Sequence, residues 1–153
     1  MSTINSYSDI FRRDKITEKF QEIDKTIYVE EVELSAANII AMYTTPVQVV
    51  AKKGAGKVIE FISAVVIVDY NSTQFTSGGA VSFREETSAT VLSSTIAASV
   101  INAAANSITK VTDTAVTLTE NKGIFISNAT GAFATGNSPV RVKVAYRVHS
   151  TGL

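Results

Sequence analysis

Cysteine and tryptophan are absent from the 153 residues, proline occurs twice and histidine once. Without thiols there is neither a disulfide framework nor a thiolate metal site, and the redox compartment stays open. A lone histidine, His149, cannot build a multi-histidine metal centre. Near a chain end on the polar side of a strand, it is also poorly placed to anchor a Ser-His-Asp triad. Long apolar runs are missing too. The longest, Ala64 to Val68, is far too short to span a bilayer, and the opening MSTINSYSDIFRRDK lacks the apolar core of a signal peptide, so a soluble protein with no membrane partner is expected. Fourteen basic residues balance fourteen acidic ones, which argues against a nucleic-acid partner that needs a strong basic field.

What is present is β-forming. The stretch PVQVVAKKGAGKVIEFISAVVIVDY, Pro46 to Tyr70, holds two β-rich runs separated by a glycine-bearing turn, which predicts a hairpin. In the second run one set of alternate residues is Val58, Glu60, Ile62, Ala64, Val66, Val68 and Tyr70; the other is Ile59, Phe61, Ser63, Val65, Ile67 and Asp69. Both are mostly apolar, so the strand is expected to lie in a two-layer core or under a neighbouring copy. Its length, roughly 40 Å at about 3.3 Å per residue, predicts a bend or bulge near Ser63-Ala64.

Charge divides the chain. Thirteen of the 28 charged residues fall in the first 33 positions, which puts a boundary near Leu34 between a charged N-terminal arm, residues 1–33, and a domain of residues 34–153. Within the arm Ile16, Phe20, Ile23 and Ile27 recur at helical spacing and make a narrow apolar stripe. Such a helix either folds back on its own domain or finds its apolar partner on another protein and orders there. Thr26 to Leu34 reads as a connecting or edge strand, its acids discouraging stray pairing. Ser35 then caps one or two helical turns from Ala36 to Met42.

Beyond Tyr70, Ala80 to Glu86 reads as a strand, and Leu92, Ile96 and Val100 among alanines favour a helix from about Ser94 to Ala105. Ile108 to Thr119 predicts one or two strands, and Lys122 to Asn128 another, before the loop NATGAFATGNSP. The last strand is the clearest: Val140, Val142, Val144, Tyr146 and Val148 face one way, with Arg141, Lys143, Ala145, Arg147 and His149 facing the other. Seven or so strands with one or two short helices make a mainly β protein, an antiparallel β-sandwich of jelly-roll or related type.

No catalytic constellation emerges. Gly54-Ala55-Gly56-Lys57 lacks the earlier glycine and the following Ser or Thr of a phosphate loop, and a strand follows where a helix is needed, so it reads as a turn. Glu30-Glu31 and Glu85-Glu86 are adjacent pairs that would point to opposite strand faces, which suits solvated charges better than paired acid and base. No catalytic, cofactor-binding or metal-binding residue is assigned, no cofactor is expected, and an enzyme is not the expected reading.

From Ser35 onward the succession SAANIIAMYTTPVQVVAKKGAGKVIEFISAVVIVDY, GGAVSFREE and NKGIFISNATGAFATGNSPVRVKVAYRV resembles a family of small virion proteins of tailed bacteriophages, crass-like phages among them. Its marks are the short helix, the TTP turn, the GAGK segment, the long strand ending in tyrosine and the closing V-x-V-x-V-x-Y-R-V strand. The resemblance implies a non-enzymatic structural component of the particle, an auxiliary capsid (decoration) protein or the base of a head fibre, often trimeric. It further implies assembly in the host cytoplasm and contact with the major capsid protein or other virion proteins. Read from the residues themselves, Ile16, Phe20 and Ile23 of the apolar stripe are candidates for attachment to the virion, and Ile62, Val66, Val68 and Val100, from the excess of apolar surface, for the interface of a homotrimer. A tail-fibre, receptor-binding or carbohydrate-binding β module is the alternative. It would rely on Phe75 and Phe133 as loop platforms, there being no tryptophan.

Overall fold

A computed structural model describes residues 26–86 and 89–153. The strands are β1 (Tyr28–Leu34), β2 (Val47–Val50), β3 (Lys57–Val68), β4 (Thr76–Ser77), β5 (Val81–Glu85), β6 (Ser107–Thr112), β7 (Ile124–Asn128), β8 (Phe133–Ala134) and β9 (Val140–Ser150). Two short helices, α1 (Ala36–Ala41) and α2 (Ala98–Ile101), lie between them. A four-stranded sheet in the order β1-β9-β3-β6 and a three-stranded sheet in the order β2-β7-β5 supply one shared hydrophobic core, and β4 pairs with β8 beside them. Every ladder is antiparallel. This is the expected mainly β sandwich with two short helices.

β3 is paired with β9 along its whole length, from Lys57↔Ser150 to Val68↔Val140. Strict alternation would put Ile59 and Phe61 on one face and Ala64, Val66 and Val68 on the other. Instead the register slips between Phe61 and Ser63, so Ile62 is the extra residue of a bulge and all five side chains point into the core. The expected bend is there, one residue earlier than read from the sequence. Opposite, β9 presents Val140, Val142, Val144 and Tyr146 to the same interior. The Phe61 ring stacks on Phe83 of the facing sheet at 5.2 Å between centroids, joining the layers with a contact worth about 0.5–1.5 kcal/mol beyond burial.

The predicted hairpin is not formed. β2 pairs with β7 and β3 with β9 and β6, so residues 51–56 arch from one sheet to the other. The cause is burial: Val49 and Val50 face the core from one layer while Ile59 and Phe61 face it from the other, an arrangement two strands of one hairpin cannot provide. Gly54 at φ 100° and Gly56 at φ 69° turn the arch. No helix follows them, in keeping with a turn.

The helix expected over Ser94 to Ala105 shrinks to α2. Its first half is extended, because Val91, Ser93 and Ile96 bridge Arg84, Asp113 and Val81, and burial of Leu92 and Ile96 outweighs alanine's helix propensity. α1 forms as read: Ser35 Oγ accepts from the Asn38 amide and Asn38 Oδ1 accepts from the Ser35 amide, a reciprocal cap. β1 is an edge strand, joined to β9 from Tyr28↔Tyr146 to Leu34↔Val140, so the folded unit reaches back past Leu34 to Tyr28.

Deleting Ile62 removes the bulge and turns Val58 and Glu60 toward Phe83. We expect this to abolish cooperative urea unfolding or to cost more than about 4 kcal/mol, whereas Ile62→Ala, which keeps the residue count, costs less than about 2 kcal/mol.

Candidate functional site: a cleft at the open edge of β3

β6 accompanies β3 only from Val68↔Ser107 to Ser63↔Thr112. Beyond that point it is drawn away by the segment following β5. The Ser94 amide donates to the Thr112 carbonyl at 2.8 Å and the Thr114 amide to the Leu92 carbonyl at 3.0 Å, while the Leu92 amide donates to the Phe83 carbonyl at 2.8 Å. The chain thus switches from the edge of one sheet to the edge of the other and, among the described residues, leaves that edge of β3 without a ladder partner from Val58 to Ile62. A cleft of about 320 Å³ opens there, lined by Glu60, Phe61 and His149 on one side and Leu92 with residues 113–116 and Leu118 on the other.

The loop closing the cleft is pinned by Glu85. Its carboxylate is buried, Oε1 accepts from the Thr119 amide at 2.7 Å, and Oε2 has no partner among the described residues. The expectation that Glu85-Glu86 is a solvated pair is therefore corrected for Glu85. β5 lies against β7 on one side and the extended 91–96 segment on the other, which leaves its last side chain little solvent.

On the outer face of the larger sheet the charges form a ladder. Glu31 meets Lys143 Nζ at 3.1 Å and Arg141 at 3.9 Å, and Glu60 meets His149 Nε2 at 2.7 Å and Arg147 at 3.8 Å. Glu30, on the opposite face of β1, accepts from the Tyr146 hydroxyl at 3.2 Å. The ladder's side chains are all part-exposed, so these pairs organise the surface more than they stabilise it. Apolar side chains accompany them: Val65 and Ile67 of β3 are half-buried, and Ile108, paired with Ile67, is 75% exposed.

The residues singled out in the sequence are scattered. Ile16, Phe20 and Ile23 lie outside the described residues. Val66 and Val68, expected to meet a neighbouring copy, are at 0% exposure in the core of the single chain, because the bulge turns them inward. Ile62 is half-buried at the bulge, and Val100 is half-buried on α2. Phe75 and Phe133 are not loop platforms: both are buried and meet edge to face at 6.3 Å. Gly136 and Gly78 lie over these rings, where a Cβ would overlap them. The cleft was missed because its signal is the end of a pairing, which periodicity does not encode.

Among the described residues no group of three or more His, Asp or Glu side chains is placed to hold a metal ion. No helix there is long and apolar enough to cross a membrane. Glu85→Ala, which leaves the Thr119 amide without its acceptor, is expected to cost about 1–3 kcal/mol in urea unfolding and to speed amide exchange over residues 113–119. Glu31→Gln, on the exposed ladder, should cost less than about 1 kcal/mol.

No protein-family model matches the chain, and no curated protein sequence does. A solved structure is similar in fold: a chain of the cyanophage Pam1 capsid asymmetric unit, with a TM-score of 0.52 and 19% identity over 79% of this chain and 84% of that one.

Proposed function

We propose that this chain is a structural protein of a tailed-phage particle, an auxiliary capsid (decoration) or head-fibre component. The observation that carries the reading is the fold shared with a chain from a phage capsid asymmetric unit over most of both chains. The virion-protein motifs from Ser35 onward add to this. The carbohydrate-binding alternative loses its platforms with the burial of Phe75 and Phe133.

Attachment is assigned to the N-terminal segment, with Ile16, Phe20 and Ile23 as its apolar contacts to the major capsid protein or another virion protein. The described chain begins beside Tyr28, at the edge of the larger sheet. Self-association as a trimer is part of the same reading. Its apolar contacts would come from outward-facing side chains such as Ile67 and Ile108, with Val66 and Val68 already used inside the subunit.

The test is co-sedimentation with shells of the phage that encodes the protein. The full chain should co-sediment, and a variant lacking Met1 to Lys25 should stay in the supernatant as a folded protein. Full occupancy by the truncated variant would overturn the attachment assignment, and failure of both to bind would overturn the virion reading. Light scattering should give three times the chain mass, falling to one for Ile108→Glu; a monomeric mass for the unaltered protein at micromolar concentration would defeat the trimer.

A further inference from the structure

We propose that the cleft beside β3 receives the N-terminal segment of this same protein, with Phe11 and Arg13 of the run Ile10-Phe11-Arg12-Arg13 entering it on an added β-strand. The proposal does not depend on the virion reading, since both partners belong to this chain.

The cleft has the form of a missing strand. β3 is bonded to β9 throughout but to β6 only from Ser63 onward; of the remainder, the Lys57 carbonyl is taken by the Asn121 amide. From Val58 to Ile62 one edge therefore faces the cleft, and an exposed edge of this kind accepts an extended segment by main-chain pairing. Its volume, about 320 Å³, lies at the small end for ligand sites, which suits a strand's side chains better than a cofactor.

Its chemistry selects the occupant. The floor is apolar, with Phe61, Leu92 and Leu118, and Val116 on the wall is 39% exposed. The rim is acidic, with Glu60 and Asp113. Glu60 already has His149 and Arg147, while Asp113 has no ion pair among the described residues, so the unmatched charge is negative. A fitting segment carries a large apolar residue and a cation on one side of a strand. Residues at i and i+2 share a face about 7 Å apart; within residues 1–25 an apolar residue stands two before a cation at Ile10/Arg12, Phe11/Arg13 and Ile23/Lys25, of which the last is only three residues from Tyr28 and Phe11 is the larger apolar side chain of the other two. Phe11 then covers the floor while Arg13 reaches Asp113. Ile16, Phe20 and Ile23 remain available for attachment.

The reach is sufficient. Tyr28 pairs with Tyr146, which pairs with Phe61, so the described chain begins two strand spacings, roughly 10 Å, from the cleft floor. Residues 14–25 cover roughly 18 Å as a helix or roughly 40 Å extended. The cleft of the same copy and that of an adjoining copy both fall within range.

The lack of native cysteine makes the test direct. The full chain carrying Phe11→Cys and Val116→Cys is oxidised mildly, beside a control carrying Phe11→Cys and Ile108→Cys, whose second site lies on the exposed outer face. Docking predicts bond formation on the order of tenfold faster for the 11–116 pair than for the control, as a high local concentration requires. A bonded single chain identifies the segment's own copy as the host, and a covalent multimer identifies a neighbour. Adding Asp113→Arg should slow the reaction, and adding Arg13→Glu as well should restore it. Equal rates for the two pairs would overturn the docking, and indifference to Asp113→Arg would overturn the charge pairing.

Discussion

A strand twelve residues long that keeps one face dry must hold its core side chains in phase, and in β3 a single extra residue at Ile62 does this for Ile59, Phe61, Ala64, Val66 and Val68. Without it, Ile59 and Phe61 would stand on the opposite face from Ala64, Val66 and Val68, and the stack of Phe61 on Phe83 that joins the two sheets would be lost. The same level of the sheet is where β6 stops: its last partner on β3 is Ser63. Bulge, strand departure and cleft therefore coincide. A bulged strand bends and twists more strongly, and β6 does not follow it but crosses to the segment beside β5.

Charge is distributed unevenly along the molecule. The segments 35–46, 69–80 and 128–139 carry a single charged residue, Asp69. They meet at one end of the sandwich, where the Asn71 amide donates to Ser138 Oγ and the Thr73 amide to Asn137 Oδ1. At the other end lies the arch with Lys52, Lys53 and Lys57; Lys53 Nζ sits 5.2 Å from the Tyr146 ring centroid, and that ring stacks on Tyr28 at 5.5 Å. The chain's charged N-terminal segment thus joins the sandwich at its lysine-bearing end, and the opposite end has Asp69 as its one charge and is rich in Ser, Thr, Asn and Ala.

Much of this was legible in the residues. The alternation of Val140 to Val148 specified β9 and its core face, Ser35 marked the start of α1, and the two apolar rows of β3 called for a second layer or a neighbouring copy. The sequence did not distinguish a hairpin from an arch, because both need two β-rich runs and a glycine turn, and only the choice of partner strands separates them. Alanine-rich residues 94–105 carried a helical signal that long-range pairing with β5 and Asp113 overrode. Phase was the subtler failure: the row containing Ile62, Val66 and Val68 was read as one face, and a slip of one residue moved Val66 and Val68 inside. Glu85 was unreadable for a related reason, since its burial comes from a loop thirty-odd residues away donating an amide to it.

The most direct measurement of the proposed role is a cryo-electron microscopy reconstruction of particles of the phage that the proposal takes to be the source of this chain. A structural subunit should occupy ordered density on the head at repeated, symmetry-related positions, into which the β-sandwich fits with its lysine-bearing end toward the shell. Particles complete in their reconstruction with no density of this shape, and no trace of the chain in their protein content, would contradict it.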